Sequence, residues 1–96
     1  MKIFIEAWQM QCCGDPFKVG DSVEWNVVNN NDGYYYERHG GTAPDKLIAV
    51  TGTVSNILAV YRRDNAEEFT VEVSAADGWE KEIDGAKFDY YIVTLD

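Results

Sequence analysis

Apolar and polar residues alternate with a period of two along most of this 96-residue chain, and helical periodicity is hard to find. Lys2 to Trp8 is the first such run. Ile3, Ile5 and Ala7 fall on one face; Phe4 and Trp8, with Glu6 between them, fall on the other. Apolar groups on both faces predict a strand near the centre of the fold. Gly14-Asp15-Pro16 then breaks the run, because proline has no N–H for a ladder and restricts the residue before it. Val19-Gly20-Asp21-Ser22 predicts a turn into a second strand, where Val23, Trp25 and Val27 alternate with Glu24 and Asn26. Asn29 to Gly33 is rich in residues that reach positive φ, which predicts a turn. Tyr34-Tyr35-Tyr36 predicts a short strand returning from it, and Arg38 to Asp45 a loop.

Ile48 to Tyr61 is the longest β segment. Ile48, Val50 and Val54 share one parity, whereas Ile57 and its successors take the other. A bulge near Ser55-Asn56, with Gly52 easing curvature, would re-phase the faces. Arg62 to Asn65 predicts a polar turn, and Phe69, Val71 and Val73 an alternating strand. Asp77-Gly78 and Asp84-Gly85 are turn dipeptides. The Trp79–Ile83 piece between them fits either a hairpin arm or one helical turn. Asp89 to Leu95 predicts a last strand, apolar on both faces. The expected fold is all-β: one domain over residues 1–96, a five- to six-stranded SH3-like barrel, with an OB-like barrel as the alternative. Val19-Gly20-Asp21-Ser22-Val23 resembles the V-G-D-x-V start of a strand in SH3-like barrels, and Gly52-Thr53-Val54 their later G-x-V strand. These short motifs bear on fold and say nothing of function.

Composition adds that the chain has a core to bury: 46% of its residues are hydrophobic, including three Trp, six Tyr and four Phe. The net charge of −9 disfavours binding to nucleic-acid phosphates or anionic lipid, both of which recruit basic side chains. It suits a basic partner. Ile3-Phe4-Ile5 is too short for the apolar region of a signal peptide, and no apolar run nears the roughly 18 residues of a membrane span. A cytoplasmic protein starting at its own initiator methionine is expected.

Candidate chemistry is sparse. Cys12 and Cys13 are adjacent, about 3.8 Å apart between Cα atoms across a trans peptide, which is too close for an ordinary disulfide. Reduced thiols are expected, one buried and one in a turn. With His39 they are the only soft metal ligands, and a zinc site on Cys12, Cys13 and His39, or a thiol activity there, is the alternative they define. Adjacent cysteines diverge and chelate poorly, so no cofactor and no enzymatic activity are expected. The aromatics point elsewhere. Trp8 and Trp25 flank the cysteines, and three consecutive tyrosines cannot all point inward. Trp8, Trp25, Tyr34, Tyr35 and Tyr36 are therefore the expected contact residues for a protein or peptide partner, with Asp21 and Glu24 as its charge complement. An inhibitor or immunity-type protein that masks a basic site is a related expectation.

Taken together, Trp8-Gln9-Met10, Cys12-Cys13-Gly14, Pro16-Phe17, Val19 to Trp25, His39 and Gly52-Thr53-Val54 resemble an uncharacterised family of small bacterial proteins. The resemblance implies a bacterial source and a shared fold, and it carries no functional residues.

Overall fold

The computed structural model describes residues 1–12, 15–29, 35–37, 47–65 and 67–96. Its organising element is the long strand β5 (Ile48–Arg62). The first half of β5 pairs antiparallel with β3 (Ser22–Asn29), from Val27 opposite Ile48 to Ser22 opposite Thr53. The second half lies between β6 (Glu68–Val73) and β8 (Lys87–Leu95), antiparallel to both. The expected bulge is present: the β5–β8 register shifts between Val54 and Asn56. Val50 and Val54 face the core before it, and Ile57, Ala59 and Tyr61 after it. A second shift at Val60–Tyr61 leaves Asp89 without a ladder partner on β5.

β1 (Lys2–Glu6) pairs antiparallel with β8 and parallel with the short β4 (Tyr35–Glu37), which pairs back to β3. The six-stranded sheet thus folds over on itself, with β6 outside the circuit. β2 (Phe17–Lys18) and β7 (Ala75–Ala76) form a separate two-stranded sheet. The all-β class expected from the sequence is the class observed. A closed barrel is not formed, because the strands divide between two sheets and only three-residue β4 links β3 to β1.

Two local expectations change. The first strand ends at Glu6, and α1 (Ala7–Cys12) follows, so Trp8 and Cys12 lie on a short helix rather than on a strand and in a turn. Ala, Gln and Met favour helix, but six residues do not hold one alone. Tertiary contacts do: Gln9 and Met10 are buried, and the Gln11 side chain donates to the Gly78 carbonyl at 2.8 Å. Second, Gly52 is required for close approach rather than curvature. A Cβ there would stand 2.8 Å from the Asp96 carbonyl oxygen. That oxygen accepts from the Thr53 N–H at 3.1 Å, tying the last residue to β5.

The Trp79–Ile83 piece is neither helix nor strand, apart from a bridge between Ile83 and Ala86. Asp84 and Gly85, at φ 48° and 79°, supply the left-handed pair of a type I′ turn beneath that bridge. Core tyrosines hold the rest. The Gly78 N–H donates to the Tyr91 hydroxyl at 3.1 Å, and the Tyr61 hydroxyl donates to the Lys81 carbonyl at 3.0 Å. Tyr91 is fully buried, and its ring joins a run of aromatic contacts from Trp25 and Phe17 through Phe88 and Tyr61 to Phe69. Burial raises the Tyr91 pKa well above that of free tyrosine, against the opposing Gly78 hydrogen bond.

The Tyr91→Phe variant leaves the buried Gly78 N–H without its acceptor and should lose about 1–3 kcal/mol in urea unfolding. Tyrosine ionises more readily in the unfolded chain than at position 91. The wild type should therefore hold its stability up to about pH 10 and lose it progressively above. Tyr91→Phe should flatten that alkaline loss, with Tyr61 and Tyr90, also raised by burial, carrying what remains.

Candidate functional site

Among the described residues, those expected to form one binding face divide between two places. Asp21, Glu24 and Trp25 do line one shallow pocket beside Pro16 and Phe17. Trp25, however, packs its ring edge-on to Phe17 at 5.0 Å and joins the margin of the core. Asp21 serves its own turn: its carboxylate accepts from the Lys18 N–H at 3.0 Å and pairs with the Lys18 ammonium at 3.5 Å. Tyr35 packs against the core. Glu24 and Asp15 are the exposed carboxylates of this pocket. Tyr34, Cys13 and His39 lie outside the described residues, and with them the expected set of Cys12, Cys13 and His39. Among the described residues, no group of three or more His, Cys, Asp or Glu is arranged to hold a metal.

Trp8 lies elsewhere, on α1, with 54% of its surface exposed. Its indole N–H donates to the Glu6 carboxylate at 2.6 Å. Glu6 in turn lines a second shallow pocket with Phe4, Asp89 and Tyr90. Here the alternation of β1 and β8 turns Phe4, Glu6, Tyr90 and Ile92 away from Ile3, Ile5, Tyr91 and Val93, which fill the core. Phe4 and Tyr90 stack with ring centroids 5.5 Å apart. Burial, then the Glu68 and Asp89 carboxylates, raise the Tyr90 pKa, and the Arg62 guanidinium opposes them. Arg62 bridges Glu68 and Asp89, the latter at 3.1 Å.

Sequence reasoning missed Phe4, Glu6, Asp89 and Tyr90. The signal was present, since β1 and β8 are apolar on both faces. That pattern predicts a central strand, and both strands are indeed paired on both edges. It equally describes a strand whose second face carries an aromatic surface.

A second exposed aromatic, Trp79 at 66% exposure, follows the Gly78 contact with α1. Its neighbour Glu80 has a raised pKa, caused by burial and then by Asp77, and opposed by a hydrogen bond from Tyr91. A carboxyl whose pKa is raised in the fold favours the folded state below its unfolded pKa, near 4.3, and forfeits that contribution as pH rises through its folded value. Glu80→Gln should accordingly raise the melting temperature at pH 7, and the gain should vanish as the scan is repeated down to pH 4.

No helix among the described residues is long and apolar enough to cross a membrane. No curated protein and no solved structure matches the chain. One family model does, over residues 1–96, and the chain thereby belongs to a family of unknown function, DUF6578.

Proposed function

We propose that this protein is a non-enzymatic binding module for a basic protein or peptide segment, working in the bacterial cytoplasm. One observation carries the reading. Trp8 is held exposed, its indole fixed by Glu6, at the edge of a pocket walled by two stacked aromatic rings and two carboxylates, on a chain of net charge −9. Exposed tryptophan is costly to leave in water and is enriched at the centres of interfaces. The acidic surface favours basic partners and disfavours phosphate backbones. An inhibitor that masks a basic site is one form of this function.

The strand order supports the OB-like alternative for the fold. The circuit β5–β8–β1–β4–β3 has one parallel pair, β1 with β4. It follows the order of a partly open OB-type barrel with the chain start displaced, so that β5, β8, β1, β3 and β4 stand as its first to fifth strands. α1 then falls between the third and fourth, and the hydrogen-bonded Met1 and Leu95 meet where a hairpin would join the second and third. By analogy, OB-type barrels bind ligands on the face of those two strands, here β8 and β1.

Immobilised wild-type protein should retain a partner from its native lysate. Raising salt from about 50 to 500 mM should release most of it, since screening weakens contacts between exposed charges. The Trp8→Ala variant, with an unchanged melting curve, should retain little. A wild type that captures nothing beyond what Trp8→Ala captures would overturn the proposal.

A further inference from the structure

Resting on the reading of a basic partner, we propose that an extended segment of that partner joins the main sheet as a strand on the open edge of β6. It runs antiparallel to β6 and sets a lysine or arginine opposite Glu72. Among the described residues, β6 is the strand of this sheet with one neighbour, β5, whereas β1, β3, β4, β5 and β8 each have two or more. A strand edge without a partner carries a row of N–H and C=O groups able to pair with another chain.

Pairing with β5 fixes which groups are open. The Arg63 N–H donates to the Glu67 carbonyl at 2.9 Å, so these two residues face one another as a hydrogen-bonded pair. In an antiparallel ladder such pairs alternate with pairs whose backbone groups point away. Phe69, Val71 and Val73, opposite Tyr61, Ala59 and Ile57, therefore direct their N–H and C=O groups at β5. Glu68, Thr70 and Glu72 turn theirs to the open edge. That edge ends at Ser74, whose carbonyl accepts from the Val19 N–H at 3.0 Å.

Proline and bulges blunt many such edges. β6 has neither: its six residues hold no proline, and its ladder with β5 has no register shift. Phe69, Val71 and Val73 pack half-buried against the core, and an added strand's apolar side chains would continue their row. Glu68, Thr70 and Glu72 are exposed on the other face. Arg62 holds Glu68, whereas Glu72 makes no ion pair or hydrogen bond among the described residues. A cation opposite Glu72 is favoured, since opposite charges directly across two strands attract and like charges repel. The same rule disfavours a second copy of this chain. The antiparallel register in which all the open residues of two copies meet is centred on Thr70, and it sets Glu68 against Glu72 twice. The segment that fits therefore alternates, with cations on the outer face and apolar residues beside Phe69, Val71 and Val73, as in Lys-Val-Thr-Val-Lys.

The test is an amide NMR titration with the blocked peptide Gly-Lys-Val-Thr-Val-Lys-Gly and its glutamate counterpart. The lysine peptide should give saturable shifts at the Glu68, Thr70 and Glu72 amides. At about ten times its Kd it should slow their solvent exchange roughly tenfold. The glutamate peptide should not saturate. N-methylation of the peptide's threonine removes an N–H aimed at β6 and should weaken binding by about fivefold or more, whereas N-methylation of the valine before it should leave binding within about twofold. Glu72→Gln should weaken the lysine peptide by about threefold. Glu24→Gln and Trp8→Ala, both away from β6, should leave it within about twofold. An unchanged affinity in Glu72→Gln, undiminished binding of the N-methyl-threonine peptide, or shifts spread over all exposed carboxylates would overturn the inference. Concentration-dependent protection of the same amides without peptide would also overturn it, by giving the edge to a second copy. Lysate capture that still depends on Trp8 in that event would leave the binding-module reading standing.

Discussion

The whole structure depends on one strand serving two neighbourhoods. β5 is fifteen residues long, and its two halves must present opposite parities to one core. A regular strand of that length would turn half its apolar residues to water, because a side chain's face is fixed by its parity. The shift between Val54 and Asn56 removes the conflict by spending a residue. With it, Val54 and Ile57 both reach the core; without it, β3 and β8 could not sit on the same strand and enclose one interior.

The irregular stretch after β7 depends on that interior in turn. Residues 77–83 have little backbone pairing of their own. Tyr91 and Tyr61, whose rings are core material, pass their hydroxyls outward to the Gly78 N–H and the Lys81 carbonyl. Gln11 adds a bond from α1 to the Gly78 carbonyl. Gly78 has no room for a side chain here, since a Cβ would stand 2.6 Å from the Met10 Cβ. α1, the turn at Gly78 and β8 therefore form one unit, so Trp8 is carried on a short helix whose position is set by the core.

A similar constraint holds half-buried rings on the outer side of the sheet. Phe4 and Tyr90 sit on strands whose other faces hold Ile3, Ile5 and Tyr91 in the core, so neither ring is free to fold inward. Glu6 and Asp89 line the pocket beside these rings, and like charges oppose the pairing of such a face with a copy of itself.

The sequence by itself determined the class of fold and its hardest feature. Alternation named β3, β5 and β6, a run apolar on both faces named β8, and the change of parity along Ile48–Tyr61 located the bulge, because side-chain direction in a strand is a local property. The expectation of an uncharacterised family agrees with the family model that spans residues 1–96. Tertiary structure decided the rest. α1 forms because Gln9, Met10 and Gln11 find partners far along the chain, which no local pattern records. Trp25 and Asp21 look like binding residues from their neighbours in sequence, yet Phe17 and Lys18 claim them. Phe4 and Glu6 lie more than eighty residues from Asp89 and Tyr90 in the chain, and only the antiparallel pairing of β1 with β8 makes them one surface. Alternation can show that a strand has two apolar faces; which of them the core takes depends on how the sheet is folded.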